Sequence, residues 1–153
     1  MGGITHVYQV YIKTTQQKLW DAIVGPEQTG VYFGGRVQST WQPGAPYRFE
    51  PTTVPGEMHF GEVVELDPPN RLVQTFEHPK LPDAKPSRVT WEIAPVGAMC
   101  CLTVTHELAI GEEASSQLAN GSWPIVLSGL KTLLETGEAL VPDFGALFGT
   151  PAE

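Results

Sequence analysis

The first regular pattern in the chain is an alternation. From His6 to Ile12 β-branched and aromatic residues run without a breaker, with Tyr8, Val10 and Ile12 on one face, which predicts a strand. The apolar spacing then lengthens. Leu19, Ala22 and Ile23 recur at helical intervals, Thr14 stands three residues before Gln17 as in a capping box, and Gly25-Pro26 ends the segment. A second short helical turn is predicted from Pro26 to Val31-Tyr32-Phe33, stopping at Gly34-Gly35.

From Arg36 to Ile110 the pattern becomes that of short strands separated by turn residues. The predicted strands are Arg36 to Thr40, Pro46 to Glu50, Met58 to Leu66, Arg71 to His78, Val89 to Ala94 and Cys100 to Ala109. Asp67-Pro68-Pro69-Asn70 and Pro95-Val96-Gly97 are strong turn chemistry, so two hairpins are nearly explicit. Pro51 to Gly56 and Pro79 to Pro86 read as exposed loops. The strand from Met58 to Leu66 admits two registers: one turns Phe60, Glu62, Val64 and Leu66 inward, the other His59, Gly61 and Val63.

After Gly111 the period changes again. Trp123, Leu127, Leu130 and Leu134 form one apolar stripe, and the secure helix runs from Ser122 as N-cap to Gly137, with Gly121 and Pro124 predicting a break or restart. Acidic Glu112 and Glu113 stand where a helix start favours them. This order of elements buries everything if the last helix lies across the concave face of a curved antiparallel sheet, an α+β helix-grip arrangement of six to seven strands. One domain over residues 1–140 is expected, followed by a loosely ordered or docking tail over 141–153. A bent sheet held off by one helix leaves room for a cavity, with Tyr8, Val10, Phe60, Phe76, Trp91, Val104, His106, Trp123 and Leu127 as its expected lining.

Composition narrows the partners. Nine Lys and Arg against seventeen Asp and Glu give a formal charge of −8, which repels nucleic acid and anionic lipid alike. With no secretory leader and no apolar run of ~20 residues, membrane insertion is not expected, and a cytoplasmic location is. Adjacent Cys100 and Cys101 point to opposite faces of a strand and are read as free thiols.

No strong catalytic constellation emerges. His6, His59, His78 and His106 are scattered over different strands without metal-ligand spacing, so no metal or other cofactor is expected. If the cavity is catalytic, His59, Glu62 and His106 are the candidates for proton transfer; otherwise His106 closes a strand end and Glu62 is a surface charge. Tyr8, Tyr11, Tyr47, Trp91 and Trp123 could wall a ring-containing ligand or simply be core.

Several segments together are similar to one family. Leu19-Trp20-Asp21-Ala22 followed by Pro26-Glu27 looks like its opening helix, and Gly61 to Leu72 looks like its "G-x-V-x-E-x-x-P-P-x-R-L" hairpin. Leu102-Thr103-Val104-Thr105-His106 and Gly121-Ser122-Trp123 are similar to its last strand and to the start of its last helix. The chain thereby resembles the START-like (SRPBCC, Bet v-like) superfamily, in the branch of Aha-type heat-shock chaperone ATPase activators. The family's usual tryptophan after the second short helix is represented only by Tyr32-Phe33. The resemblance implies a module that binds a small apolar or aromatic molecule. Its alternatives are a polyketide cyclase-like or dehydratase-like enzyme, and an interaction protein that contacts a chaperone or forms a homodimer.

Overall fold

In the computed structural model the described residues are 3–52, 57–79, 81–109 and 111–140, with backbone alone at 113–121. Strand β1, Ile4–Ile12, alternates half-buried and exposed positions along its length, as its sequence alternates. Helix α1, Gln16–Val24, follows and buries Leu19, Trp20, Ala22 and Ile23. Its cap is Thr15 rather than Thr14: the Thr15 hydroxyl accepts from the Lys18 N–H at 3.2 Å, one of the donors a helix start leaves unpaired. Helix α2, Pro26–Tyr32, begins on the proline and is tied to α1 by a 2.9 Å bond from the Tyr32 hydroxyl to the Ala22 carbonyl.

The meander comprises β2 (Gly35–Ser39), β3 (Pro46–Pro51), β4 (Gly61–Asp67), β5 (Arg71–Phe76), β6 (Ser87–Val96) and β7 (Met99–Leu108). With β1 they make a seven-stranded antiparallel sheet in the order β1-β7-β6-β5-β4-β3-β2. The first strand therefore pairs with the last, Ile4 opposite Leu108 and Ile12 opposite Cys100. Both hairpins sit where the turn residues placed them. The Asn70 N–H bonds the Asp67 carbonyl at 2.7 Å, and Val96 faces Met99 across a turn containing Gly97.

The ambiguous strand resolves through a bulge. Val63 pairs with Gln74 but Glu65 with Val73, so the register shifts between them. Val63 is fully buried, Val64 and Glu65 are exposed, and Leu66 packs partly against the core. Each of the two registers holds for one end of the strand. β4 also starts later than its sequence pattern, at Gly61, where a Cβ would lie 2.1 Å from the Thr75 carbonyl oxygen. Only glycine permits that approach of β4 to β5.

Helix α3 runs unbroken from Glu113 to Thr136, through Pro124 and without a restart at Ser122. Proline withdraws one amide donor but does not stop a helix held by packing. Trp123, Leu127 and Leu130 are buried on the sheet side and Leu134 packs partly beneath them. At the other end Gly137 adopts φ 79°, and its N–H returns to the Leu133 carbonyl at 2.8 Å. Lys131 Nζ donates to the Tyr11 carbonyl at 2.6 Å and pairs with Glu135 at 2.7 Å, while Glu135 accepts from the Lys13 N–H at 2.8 Å. These bonds fasten the last turns of α3 to the end of β1. The expected tail over 141–153 lies outside the described residues.

Candidate functional site

Where α3 crosses the sheet, alternation on β6 and β7 turns Ser87 and His106 toward Trp123. The indole N–H of Trp123 donates to Nδ1 of His106 at 3.0 Å, and Nε2 of His106 lies 2.7 Å from the Ser87 hydroxyl. Indole nitrogen is a donor only. Nδ1 must therefore be bare, the proton sits on Nε2 and is given to Ser87, and the Ser87 hydroxyl passes its own to the Phe76 carbonyl at 3.3 Å. Burial, with His6 adding to it, pushes the His106 imidazole down to about 4. A second buried pair, the Trp91 N–H on Gln74 Oε1 at 2.7 Å, is equally complete. In this tautomer Ser87 receives a proton from His106, the reverse of what an activated nucleophile needs.

His59 stands differently. It precedes β4, half-buried, with its ring stacked on Phe76 at 4.0 Å and 21°. Phe49 at 4.7 Å, Phe33 at 5.4 Å and Tyr47 at 6.2 Å complete its surroundings. Its Nε2 has no solvent contact and no hydrogen-bond partner, the one such buried side-chain atom among the described residues. Burial first, then the neighbouring His78 and His106, push its imidazole down to about 3. It is neutral at any ordinary pH.

Among the described residues the concavity under α3 holds a continuous cluster of rings. Trp123 touches Trp91, Phe76 and Phe33 at 5.3, 5.8 and 6.0 Å, and Tyr8 at 6.4 Å. An opening lies at the rim, where β3 and β4 cease to pair. β3 pairs with β4 only at Pro46–Glu62 and Tyr47–Gly61, and no ladder pair joins Arg48–Pro51 to residues 57–60. A cleft of about 610 Å³ occupies the split, lined by Arg48, Phe49, Pro51, Glu57, Met58, Phe60 and Pro79. Phe49 thus belongs to both the cleft wall and the His59 cage.

The residues singled out in the sequence fall into three groups. Trp91, Val104, His106, Trp123 and Leu127 are buried, and Tyr8, Val10 and Phe76 half-buried, all in the cluster or its contacts beneath α3. Phe60 is 40% exposed and belongs to the rim cleft instead. Glu62 is exposed, on the side of β4 opposite Val63, with its N–H bonded to Thr75 Oγ1 at 2.9 Å. Phe76 separates the two candidate histidines, ring to ring with each, and Glu62 does not join them. Phe33, Phe49 and Ser87 carried no signal beyond their strand or helix pattern, because their roles arise from cross-strand neighbours far away in sequence.

No functionally curated protein matches the sequence. Solved structures do. The Aha1 dimer of Colwellia psychrerythraea superposes with a TM-score of 0.76 at 15% identity, covering 89% of this chain and 99% of that one. CalU16 of Micromonospora echinospora gives 0.71 at 15% identity, covering 87% and 77% respectively. PFC0360w, an HSP90 activator of Plasmodium falciparum, gives 0.71 at 16%, covering 86% and 96%. At such identities the likeness speaks for the fold alone. The sequence itself matches the Activator of Hsp90 ATPase homolog 1-like family over residues 13–135, and the chain belongs to that family.

Proposed function

We propose that the chain binds a small, predominantly apolar molecule at the rim cleft, with the aromatic cluster as the inner wall of the site. The observation that carries this reading is the split between β3 and residues 57–60, where about 610 Å³ opens among mostly apolar side chains. That volume falls within the range of small-molecule sites, roughly 300–1,000 Å³. Phe60, 40% exposed, belongs to that lining. Acid–base chemistry has less support: His106 is committed to Trp123 and Ser87, His59 is a very weak base, and Glu62 faces away. Fluorescence titration with Nile red, an uncharged apolar dye, tests the reading. Saturable binding that Phe60→Glu weakens at least tenfold supports it; no uptake by the wild-type chain, or uptake indifferent to that change, overturns it.

A second reading rests on a separate surface. β1 is an edge strand, and beside it Val7 and Tyr11 are 61% and 51% exposed. An exposed strand edge flanked by apolar side chains is a template for pairing, and one solved relative is a dimer. The occupant would be a second copy of the chain. Light scattering of the wild type and of Val7→Lys distinguishes the outcomes: a dimer that the lysine dissociates supports this reading, and a monomer in both ends it.

A further inference from the structure

Among the described residues every other buried side-chain nitrogen and oxygen is satisfied, and one is not: Nε2 of His59. Leaving such an atom unpaired costs on the order of 1–3 kcal/mol, so the fold retains it against its own stability. It is also surrounded in a particular way. Aromatic rings flank it on several sides, and one of them, Phe49, also lines the rim cleft. Phe49 is half-buried, on the stretch of β3 that pairs with β2 but no longer with β4. Of the cage rings it is the one that also lines the cleft.

Resting on the rim cleft as the binding site, we propose that its ligand is an uncharged aromatic molecule carrying a hydroxyl group. The hydroxyl bonds Nε2 of His59 after the Phe49 ring has moved toward the cleft. A hydroxyl suits this atom whichever tautomer is present, because it donates to a bare ring nitrogen and accepts from a protonated one. A carboxylate has acceptors only, so it fits just one of the two tautomers, and its charge would be desolvated in an apolar cage beside an imidazole that its depressed pKa keeps neutral. The chain's charge of −8 opposes an anion as well. The aromatic body follows from the walls: rings at 4.0–5.4 Å around His59 leave flat, edge-rich surfaces that match another ring.

The test uses the full chain and three probes of one shape: naphthalene, 2-naphthol and 2-naphthoate, followed by quenching of tryptophan fluorescence. The expected result is 2-naphthol binding about tenfold more tightly than naphthalene, the effect of satisfying one buried orphan, with His59→Phe abolishing the difference. If His59→Phe does not fold, the imidazole ¹⁵N signal of His59 in the wild type decides instead: it must move on addition of 2-naphthol and stay in place with naphthalene. Equal affinity for naphthalene and 2-naphthol overturns the hydroxyl assignment while leaving the cleft as a binding site. Tightest binding of 2-naphthoate, lost in Arg48→Ala, overturns it too, in favour of an anion held at the rim. No binding of any probe refutes the site itself.

Discussion

The indole N–H of Trp123 meets Nδ1 of His106 at 3.0 Å, and this one bond fixes both the helix and the tautomer beneath it. Through His106 and Ser87 the bond continues to the backbone of β5, so α3, β7, β6 and β5 share one polar line through an apolar core. Because each partner is buried, each deletion strands the next group. Trp123→Phe is expected to lower stability by about 2–4 kcal/mol, combining lost volume with an unpaired Nδ1. The double change Trp123→Phe with His106→Phe should cost less than the sum of its parts by about 1–2 kcal/mol. Urea unfolding of the four proteins in the cycle measures both figures.

Acid should weaken the fold in a definite window. His106 and His59 have folded-state values of about 4 and about 3, below the ordinary imidazole value of 6.5. Between those limits the unfolded chain binds protons that the folded one refuses, so stability rises with pH. Conversely it falls as pH drops below 6.5, by up to about 1.4 kcal/mol per pH unit for each histidine. Chemical denaturation between pH 7 and pH 5 should show this slope, and His106→Gln should remove about half of it. A flat profile would contradict the burial of both rings.

Gly61→Ala is expected to be among the costlier single-methyl additions in the chain. The new carbon would fall 2.1 Å from the Thr75 carbonyl oxygen, which is backbone and cannot rotate away. Separating β4 from β5 there should cost about 2–3 kcal/mol. Thermal denaturation checks the size, and a neutral result would mean the two strands stand further apart than 2.1 Å implies.

The clamp at the end of β1 has a local signature rather than a global one. Lys131 and Glu135 are partly exposed, so their pairing adds little to overall stability. Glu135 nevertheless accepts the Lys13 N–H, a backbone donor at the sheet edge. In Glu135→Gln the Lys13 amide should exchange with solvent several-fold faster while amides at the centre of β7 keep their rates. Hydrogen exchange followed by NMR resolves the two sites separately.

Much of this architecture was legible in the sequence because its signals are local. The Asp67 to Asn70 turn, the Leu19–Ala22–Ile23 spacing and the stripe from Trp123 to Leu134 each depend on neighbours within a few residues. Where the reading went astray, a distant contact overrode a local preference. Pro124 reads as a helix break, yet Trp123 and Leu127 packing on the sheet carries α3 across it. A strict period of two gives a single inward face to residues 58–66, and the bulge after Val63 supplies two. The His59 cage was hidden for the same reason. Phe33, Phe49 and Phe76 come from three separate elements, and only their pairing in the folded sheet brings them around one imidazole.

Pairing the first strand with the last has a consequence for how the chain is made. As the polypeptide leaves the ribosome, Ile4–Ile12 emerges before Met99–Leu108 and finds no strand neighbour until all the intervening strands have been made. Lys131 reaches Tyr11 later still. Cotranslational assembly can thus start in the middle hairpins, whose partners are close in sequence, while the N-terminal segment remains an unclaimed apolar ribbon. A nascent chain stalled short of β7 should be the species that chaperones hold longest.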